Sequence, residues 1–536
     1  MTNSRLPRFV IFFCTFCFLF SFGTHLSAAE KPNIILIMCD DMGYSDIGCY
    51  GGEVETPHLN RLAREGMRFT QFYNNAKCTT TRASILTGLY PRFGKGGHMR
   101  QNMVTLGEAM KVAGYHTGLS GKWHLMRTKG YAKSKYPGGW IDRYDKTTHP
   151  FFRGFDSYYG VLDGCCNFFD PTISDPPYKR AGIRSFGHDD KAVTQFKDDY
   201  YTTDAFTDHT LDMIQRYSKD EKPFFIHLCY TAPHYPLHAK PKDIAKYVGK
   251  FKMGWNQMRK DRWRRIQKMG LADENWSLSE GDSRSYAWET ANHEFEDLRM
   301  AVYAAMIDSM DQNIGRIMAT LKATNQLDNT LVLFLSDNGG CSEEPGGRDP
   351  NKRNPGPKDD YVAVGPSWGW AQNSPFRRYK SWVHEGGIST PCIAWWPGKI
   401  PAASINRSPA HIIDLMPTFL EMAETEYPKT YQGHDILPVE GTSMLALLKG
   451  EEKSLHDSLA WYWSGNRALR QGPWKLVWDS QVKEWELYDI SADRCEINNL
   501  AAQHPERVKQ MTKDWFAWAD KVELRSKLKA DRKKKK

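Results

Sequence analysis

At 536 residues, with 40% hydrophobic and 25% charged side chains, the chain can form one large core plus a smaller one and is too polar to cross a membrane repeatedly. Its formal charge of +9 does not mark a nucleic-acid surface: Arg5, Arg8 and the eight basic side chains of residues 524–536, set against Asp531, account for all of it and leave a neutral body. Eleven cysteines are too sparse for a disulfide scaffold.

The first 29 residues read as an export signal, with Arg5 and Arg8 ahead of the apolar "FVIFFCTFCFLFSFG" and Ser27-Ala28-Ala29 as a small-residue cleavage site. That places the mature protein in the periplasm or outside the cell, with no stable membrane span after cleavage. "NIILIMCDD" is a short apolar run ending in Asp40-Asp41, the pattern of a buried parallel strand with polar groups at its C-terminal end. A helix is predicted over 57–65, a helix-like stretch follows Cys78, and another helix over 105–113 is closed by Gly114. "YHTGLS" reads as a strand leading into "GKWHL", and residues 204–217 as a helix. "PFFIHLCYTAPHYP" ends a strand in Thr231, His234 and a proline-broken loop. Residues 240–296 are charged and Trp-containing without strand periodicity, as in a long excursion over the surface. A helix at 297–322 carries Val302, Ala305, Met306, Ser309, Ile314, Ile317 and Leu321 on one face, and "TLVLFLSDNGG" closes a strand in Asp337-Asn338.

Strand and helix alternate, so the expected fold is α/β: a large domain with a mostly parallel central sheet flanked by helices, residues 30–440, binding ligands beyond the strands' C-terminal ends. From about 457 the aromatic runs separated by "SGN", "QGP" and "DSQ" predict an antiparallel sheet, closed by the helical "HPERVKQMTKDWFAWADKV". Residues 441–523 thus form a small C-terminal α+β domain, and 524–536 a basic, disordered tail.

Asp40-Asp41 alone reads as a turn or cap, and Asp337-Asn338 is equally ambiguous. Together, at the ends of neighbouring strands, they offer hard oxygen donors suited to Ca²⁺ or Mg²⁺, not zinc. Lys122 and His124 are two apart and share a face if extended; His234 sits on a rigid loop; Lys380 stands five residues before Glu385-Gly386-Gly387. Singly, a lysine is usually solvated and a histidine usually a structural hydrogen-bonder. A metal with several cations and two histidines makes a site for a tetrahedral oxyanion.

Cys78-Thr79-Thr80-Thr81-Arg82 followed by "ASILTGLYP", with Asp40-Asp41, "GKWHL", "TAPHYP", "SDNGG", "HEGG" and "DLMPTFL", resembles the type I sulfatase family of the alkaline phosphatase superfamily, in family order over nearly the whole chain. The resemblance implies an exported sulfuric ester hydrolase acting on a sulfated carbohydrate or aryl sulfate. It implies that Cys78 is converted by a formylglycine-generating enzyme to formylglycine (3-oxoalanine), whose hydrated aldehyde is the nucleophile. It implies Ca²⁺, or Mg²⁺, held by Asp40, Asp41, Asp337 and Asn338 beside residue 78. Arg82 then orients the diol, Lys122 and Lys380 neutralise sulfate oxygens, His234 with Lys380 assists the leaving alcohol, and His124 collects a proton. Thr80 stands where the family motif has Pro or Ala, and Leu89 where it has Arg, both within the segment the maturation enzyme reads. The alternatives are a phosphonate or phosphodiester hydrolase of the same superfamily, or a sulfated-glycan-binding protein if Cys78 stays a thiol. Specificity is expected from loops 125–200 and 240–296 and from aromatic residues of the C-terminal domain.

Overall fold

The computed structural model describes residues 1–2, 31–95, 97–126, 145–179, 181–282 and 284–528. The expected export signal from residue 3 on, residues 127–144 of the first specificity loop and the tail from 529 lie outside the described residues. The chain divides into two units, Met1–Glu30 and Lys31–Lys536.

The second unit is built on β1 (Asn33–Cys39), α1 (Pro57–Glu65), β2 (Met67–Tyr73), α2 (Cys78–Thr87), α3 (Leu106–Val112), β3 (His116–Gly121), β4 (Ser157–Val161), α4 (Thr202–Tyr217), β5 (Phe224–Cys229), α5 (Gly254–Lys268), α6 (His293–Ala323), β6 (Thr330–Ser336) and β7 (Ser389–Trp395). Eleven strands form one sheet, whose centre runs β2-β7-β6-β1-β5-β3-β4. β6, β1, β5, β3 and β4 are all parallel, whereas β7 runs antiparallel to both β6 and β2. Every residue of β1 is buried: Ile35, Ile37 and Cys39 enter one core cluster, and Ile34, Leu36 and Met38 the other. Side chains alternate across a pleated strand, so an uninterrupted apolar run means a sheet covered on both faces. α1, α4 and α6 cover the first face; α2, α3 and α7 (Leu415–Met422) cover the second.

The predicted C-terminal pattern is an antiparallel meander of β8 (Leu459–Trp463), β9 (Asn466–Gln471), β10 (Trp474–Asp479) and β11 (Glu484–Asp489), closed by α8 (Pro505–Lys521). Leu524, assigned from sequence to the tail, is fully buried in the core beneath α8, and residues 524–528 are helical, so ordered chain passes the expected boundary. The excursion at 240–296 also needs correction, because it contains the 15-residue α5. Its buried side includes Arg259 and Arg262, which break the apolar period. Arg262 Nη1 donates to Asp46 at 2.6 Å, and Arg259 donates to the carbonyls of Trp370 and Pro375 at 3.0 and 2.9 Å. Buried cations paired in this way are tolerated, but no hydrophobic pattern reveals them.

A buried ionic knot ties the C-terminal sheet to the segment ahead of β7. Lys475 Nζ of β10 lies 2.7 Å from Glu385 and 2.8 Å from Glu496, and Arg494 Nε lies 2.8 Å from Glu385. Burial raises the Glu385 carboxyl, but Lys475 and Arg494 overcome it and hold the group at about 2. Lys475→Met is expected to destabilise the protein by about 3–5 kcal/mol, because it leaves a carboxylate pair under-compensated in the interior. Chemical denaturation checks this; an unchanged midpoint would refute it.

Among the described residues, no helix is long and apolar enough to cross a membrane, and all nine described cysteines are buried and unpaired.

Candidate active site

The sheet topology gathers the chemistry at one edge. In the β1–β6 register Cys39 faces Ser336, so Asp40 and Asp337 leave neighbouring strands at the same level. Gly121 of β3 and Cys229 of β5 are likewise in register, which brings Lys122 and the loop to His234 to the same edge. β2 leads through 74–77 into Cys78, the first residue of α2. Because β7 is antiparallel, its beginning lies at this edge, and Lys380 precedes it. Asp41, Ala76, His124 and Ser381 all have φ between 60° and 75°, so the backbone is held in left-handed conformations around the site.

Helix α2 is almost wholly buried although its first half is polar, "CTTTR". The hydroxyls are satisfied locally: Thr80 Oγ1 donates to Asn75 O at 2.8 Å, Thr81 Oγ1 accepts from Asn75 N at 3.0 Å, and Ser84 Oγ accepts from Asn75 Nδ2 at 2.7 Å. One turn into the helix, Arg82 reaches Asp337 Oδ2 with Nε at 3.1 Å and Nη2 at 2.8 Å. The remaining Asp337 oxygen accepts from Asp41 N at 3.2 Å.

Three carboxylates are thereby packed together in the interior. Lys122 Nζ donates to Asp40 Oδ2 at 2.5 Å, Asn338 Nδ2 donates to Asp41 Oδ1 at 2.7 Å, and Lys380 Nζ lies 2.7 Å from the Asp41 carboxylate. Burial, with the Asp337 charge beside it, pushes the Asp40 carboxyl up to about 8 against the pull of Lys122. Burial opposes ionisation of Asp41 too, but Lys380 and His234 outweigh it and hold that carboxyl far below the usual range. Asp40 Oδ1 and Asn338 Oδ1 are buried without a hydrogen-bond partner. Ligand atoms of Asp40, Asp41 and His234, and of Asp40, Cys78 and Asp337, lie within 4.8 Å of one another. Crowded carboxylates with two orphaned hard oxygens fit a bound Ca²⁺ or Mg²⁺. A third such group, His384, Asp479 and Glu486, lies at the C-terminal sheet, where Arg378 pairs with Asp479 at 2.8 Å.

Above the carboxylates opens a cavity of about 460 Å³, with Cys78, His124, His234 and Lys380 on its walls. His234 Nδ1 donates to Tyr235 O at 2.5 Å, which leaves Nε2 as its free position, 3.4 Å from Asp41. Burial holds both His124 and His234 well below the usual histidine range. The His124 ring lies against Gly164, where a Cβ would come within 2.6 Å of Nε2. Lys122 and Arg82 do not line the cavity. Both are buried, and Lys122 Nζ is held by Asp40 within electrostatic reach of Cys78.

Sequence reasoning missed the outer wall. Glu343 accepts from Lys77 Nζ at 3.1 Å and from the Tyr235 hydroxyl, and Lys179 Nζ donates to Tyr235 Oη at 2.6 Å. Lys77 could have been found beside Cys78, and Glu343 on the loop after β6. Lys179 ends a single 3-10 turn, Pro177–Lys179, and Arg184 and Asp163 lie beside strand ends, with no local pattern to mark them.

Residues 32–425 match the family model described as Sulfatase, and residues 376–517 match one described as N-sulphoglucosamine sulphohydrolase, C-terminal. The chain is 32% identical to an uncharacterized sulfatase of Schizosaccharomyces pombe, covering 91% of this chain and 94% of that one. It is 31% identical to the arylsulfatase of Klebsiella aerogenes, covering 81% and 95%. Among solved structures it resembles Ps i-CgsB in complex with k-i-k-neocarrahexaose, with TM-score 0.65, 26% identity, and coverage of 91% and 93%.

Proposed function

The chain belongs to the sulfatase family of the alkaline phosphatase superfamily and is a sulfuric ester hydrolase, and from that premise we propose that it is exported and cleaves sulfated glycans or aryl sulfates in this cavity, with residue 78 as formylglycine and Ca²⁺ beneath it. The observation that carries the reading is the placement of Cys78 with its sulfur within 4.8 Å of carboxylate oxygens of Asp40 and Asp337, on the wall of a cavity that also carries Lys380, His124 and His234.

When bound by Asp40, Asp41, Asp337 and Asn338, Ca²⁺, or Mg²⁺ in its place, supplies a Lewis acid that polarises the sulfate and favours ionisation of an adjoining hydroxyl. Formylglycine at 78 supplies an aldehyde hydrate, one hydroxyl of which is nucleophilic while the other allows sulfate release. The remaining work belongs to this chain's own side chains. Arg82, clamped on Asp337 at the first turn of α2, fixes the orientation of residue 78. Lys380 brings a positive charge from the Asp41 carboxylate to the cavity wall, where it neutralises a sulfate oxygen. Lys380, kept protonated beside Asp41, is the group able to give a proton to the departing alcohol. His234, tethered through Nδ1, presents Nε2 as an acceptor beside it, and His124 takes the proton released as sulfate leaves. Lys122, charged beside Asp40, is the second cation available to neutralise a sulfate oxygen.

The test is the state of residue 78. Protein made in a host with a formylglycine-generating enzyme should carry a mixture of thiol and formylglycine, and specific activity on 4-nitrophenyl sulfate should rise in proportion to the formylglycine fraction in the peptide Cys78–Arg82. Sulfatase turnover by wholly unmodified thiol would overturn the mechanism. Phosphonate and phosphodiester substrates in the same assay test the alternative chemistry. Export is checked by locating the mature N-terminus, expected after Ala29.

A further inference from the structure

We propose that Asp163 and Arg184 form a hydroxyl-reading pair on the outer wall of the cavity, and that the group carrying the sulfate is a sugar rather than an aryl ring. The inference rests on the sulfatase reading and names the alcohol side of the ester.

The pair is built by strand pairing. β4 lies antiparallel to the strand Phe186–His188, with Val161 opposite Phe186. The ladder continues one step outward, where Leu162 N donates to Ser185 O at 2.9 Å. Ser185 N in turn donates to Asp163 Oδ2 at 2.7 Å, which sets Asp163 beside Arg184. Both line the same cavity as Cys78. Arg184 spends Nε, at 2.8 Å, and Nη2 on a single oxygen of the buried Asp175. Its Nη1 has no partner among the described residues, and neither has Asp163 Oδ1. One donor and one acceptor are therefore left over on two residues that line the cavity. Adjacent sugar hydroxyls, each able to give and accept a proton, match such a pair.

The described lining of the cavity carries Lys77, Lys179, Arg184 and Lys380 against Asp163 and Glu343, a wall of charged and hydrogen-bonding groups. An aryl ring would cover Asp163 Oδ1 and Arg184 Nη1 without bonding either, and unpaired polar groups at a substrate contact are what a hydroxyl-reading site uses for rejection.

The test compares kcat/KM on glucose and galactose monosulfates, their counterparts lacking one hydroxyl, and 4-nitrophenyl sulfate. The variants are Asp163→Asn, which keeps an acceptor for Ser185 N, and Arg184→Lys, which keeps a charge for Asp175. Thermal melting should match wild type within a few degrees. Each variant should lose about 10- to 100-fold on the preferred sugar monosulfate, the worth of a hydrogen bond to a charged group, and less than about 3-fold on 4-nitrophenyl sulfate. The substrate lacking the contacted hydroxyl should abolish the difference between wild type and variant. Equal losses on both substrate types would overturn the proposal while leaving the sulfatase reading intact. Failure of the wild type, with residue 78 shown to be formylglycine, on every sulfate ester would overturn both.

Discussion

Cys78→Ala is expected to remove turnover almost completely, with kcat on any sulfate ester falling on the order of 10⁴- to 10⁶-fold, as when an enzyme loses the group that bonds to its substrate. The fold should survive. Cys78 donates no hydrogen bond on which α2 depends, since the hydroxyls of Thr80, Thr81 and Thr87 and the Asn75 side chain satisfy that helix and its entry. Removing one buried sulfur at a helix start that borders a cavity leaves space next to space already open. Stopped sulfate-release assays on protein with an unchanged melting curve are the measurement. A residual rate within about 100-fold of wild type would mean that residue 78 does not form the bond to sulfur.

The second large effect concerns Asp337, where substitution by alanine and by asparagine should part company. Asp337 accepts from Arg82 Nε and Nη2 and from Asp41 N, and Arg82 is 2% exposed. Asp337→Ala therefore strands a buried guanidinium, and the expected cost is about 3–5 kcal/mol of stability as well as loss of activity. Asp337→Asn keeps an oxygen for Arg82 and removes the negative charge that helps raise Asp40. It should melt close to wild type, yet lose at least about 100-fold in kcat/KM and bind Ca²⁺ more weakly in a calorimetric titration. Wild-type activity in Asp337→Asn, or stoichiometric zinc without calcium or magnesium in active protein, would remove the proposed role of this cluster.

The strand ends were legible because a parallel strand covered on both faces needs a continuous apolar run, and the residues that break it are at the edge where ligands bind. "NIILIMCDD" and "TLVLFLSDNGG" carry that information in nine and eleven residues. The polar "CTTTR" start of α2 was recognisable by its resemblance to a family motif, while its burial depends on Asn75, which no periodicity places there. α5 was hidden because a buried arginine and an exposed one are the same letter. Only the position of Asp46, Glu53 and the carbonyls at 370 and 375 decides between them.

By itself the sequence determined the alternation of strand and helix, the antiparallel C-terminal sheet and the set of oxygen donors, cations and histidines, since each depends on chemistry within a dozen neighbouring residues. Tertiary structure alone decided how that set divides. The sheet order β7-β6-β1-β5-β3 brings Asp40, Asp337, Lys122 and Lys380 together from more than 300 residues apart, and puts Lys380 on the cavity wall while Lys122 is held by Asp40. The outer wall of Asp163, Arg184, Lys179 and Glu343 exists only through that folding, because a free hydrogen-bonding atom is defined by what its neighbours already hold, and those neighbours are remote in the chain.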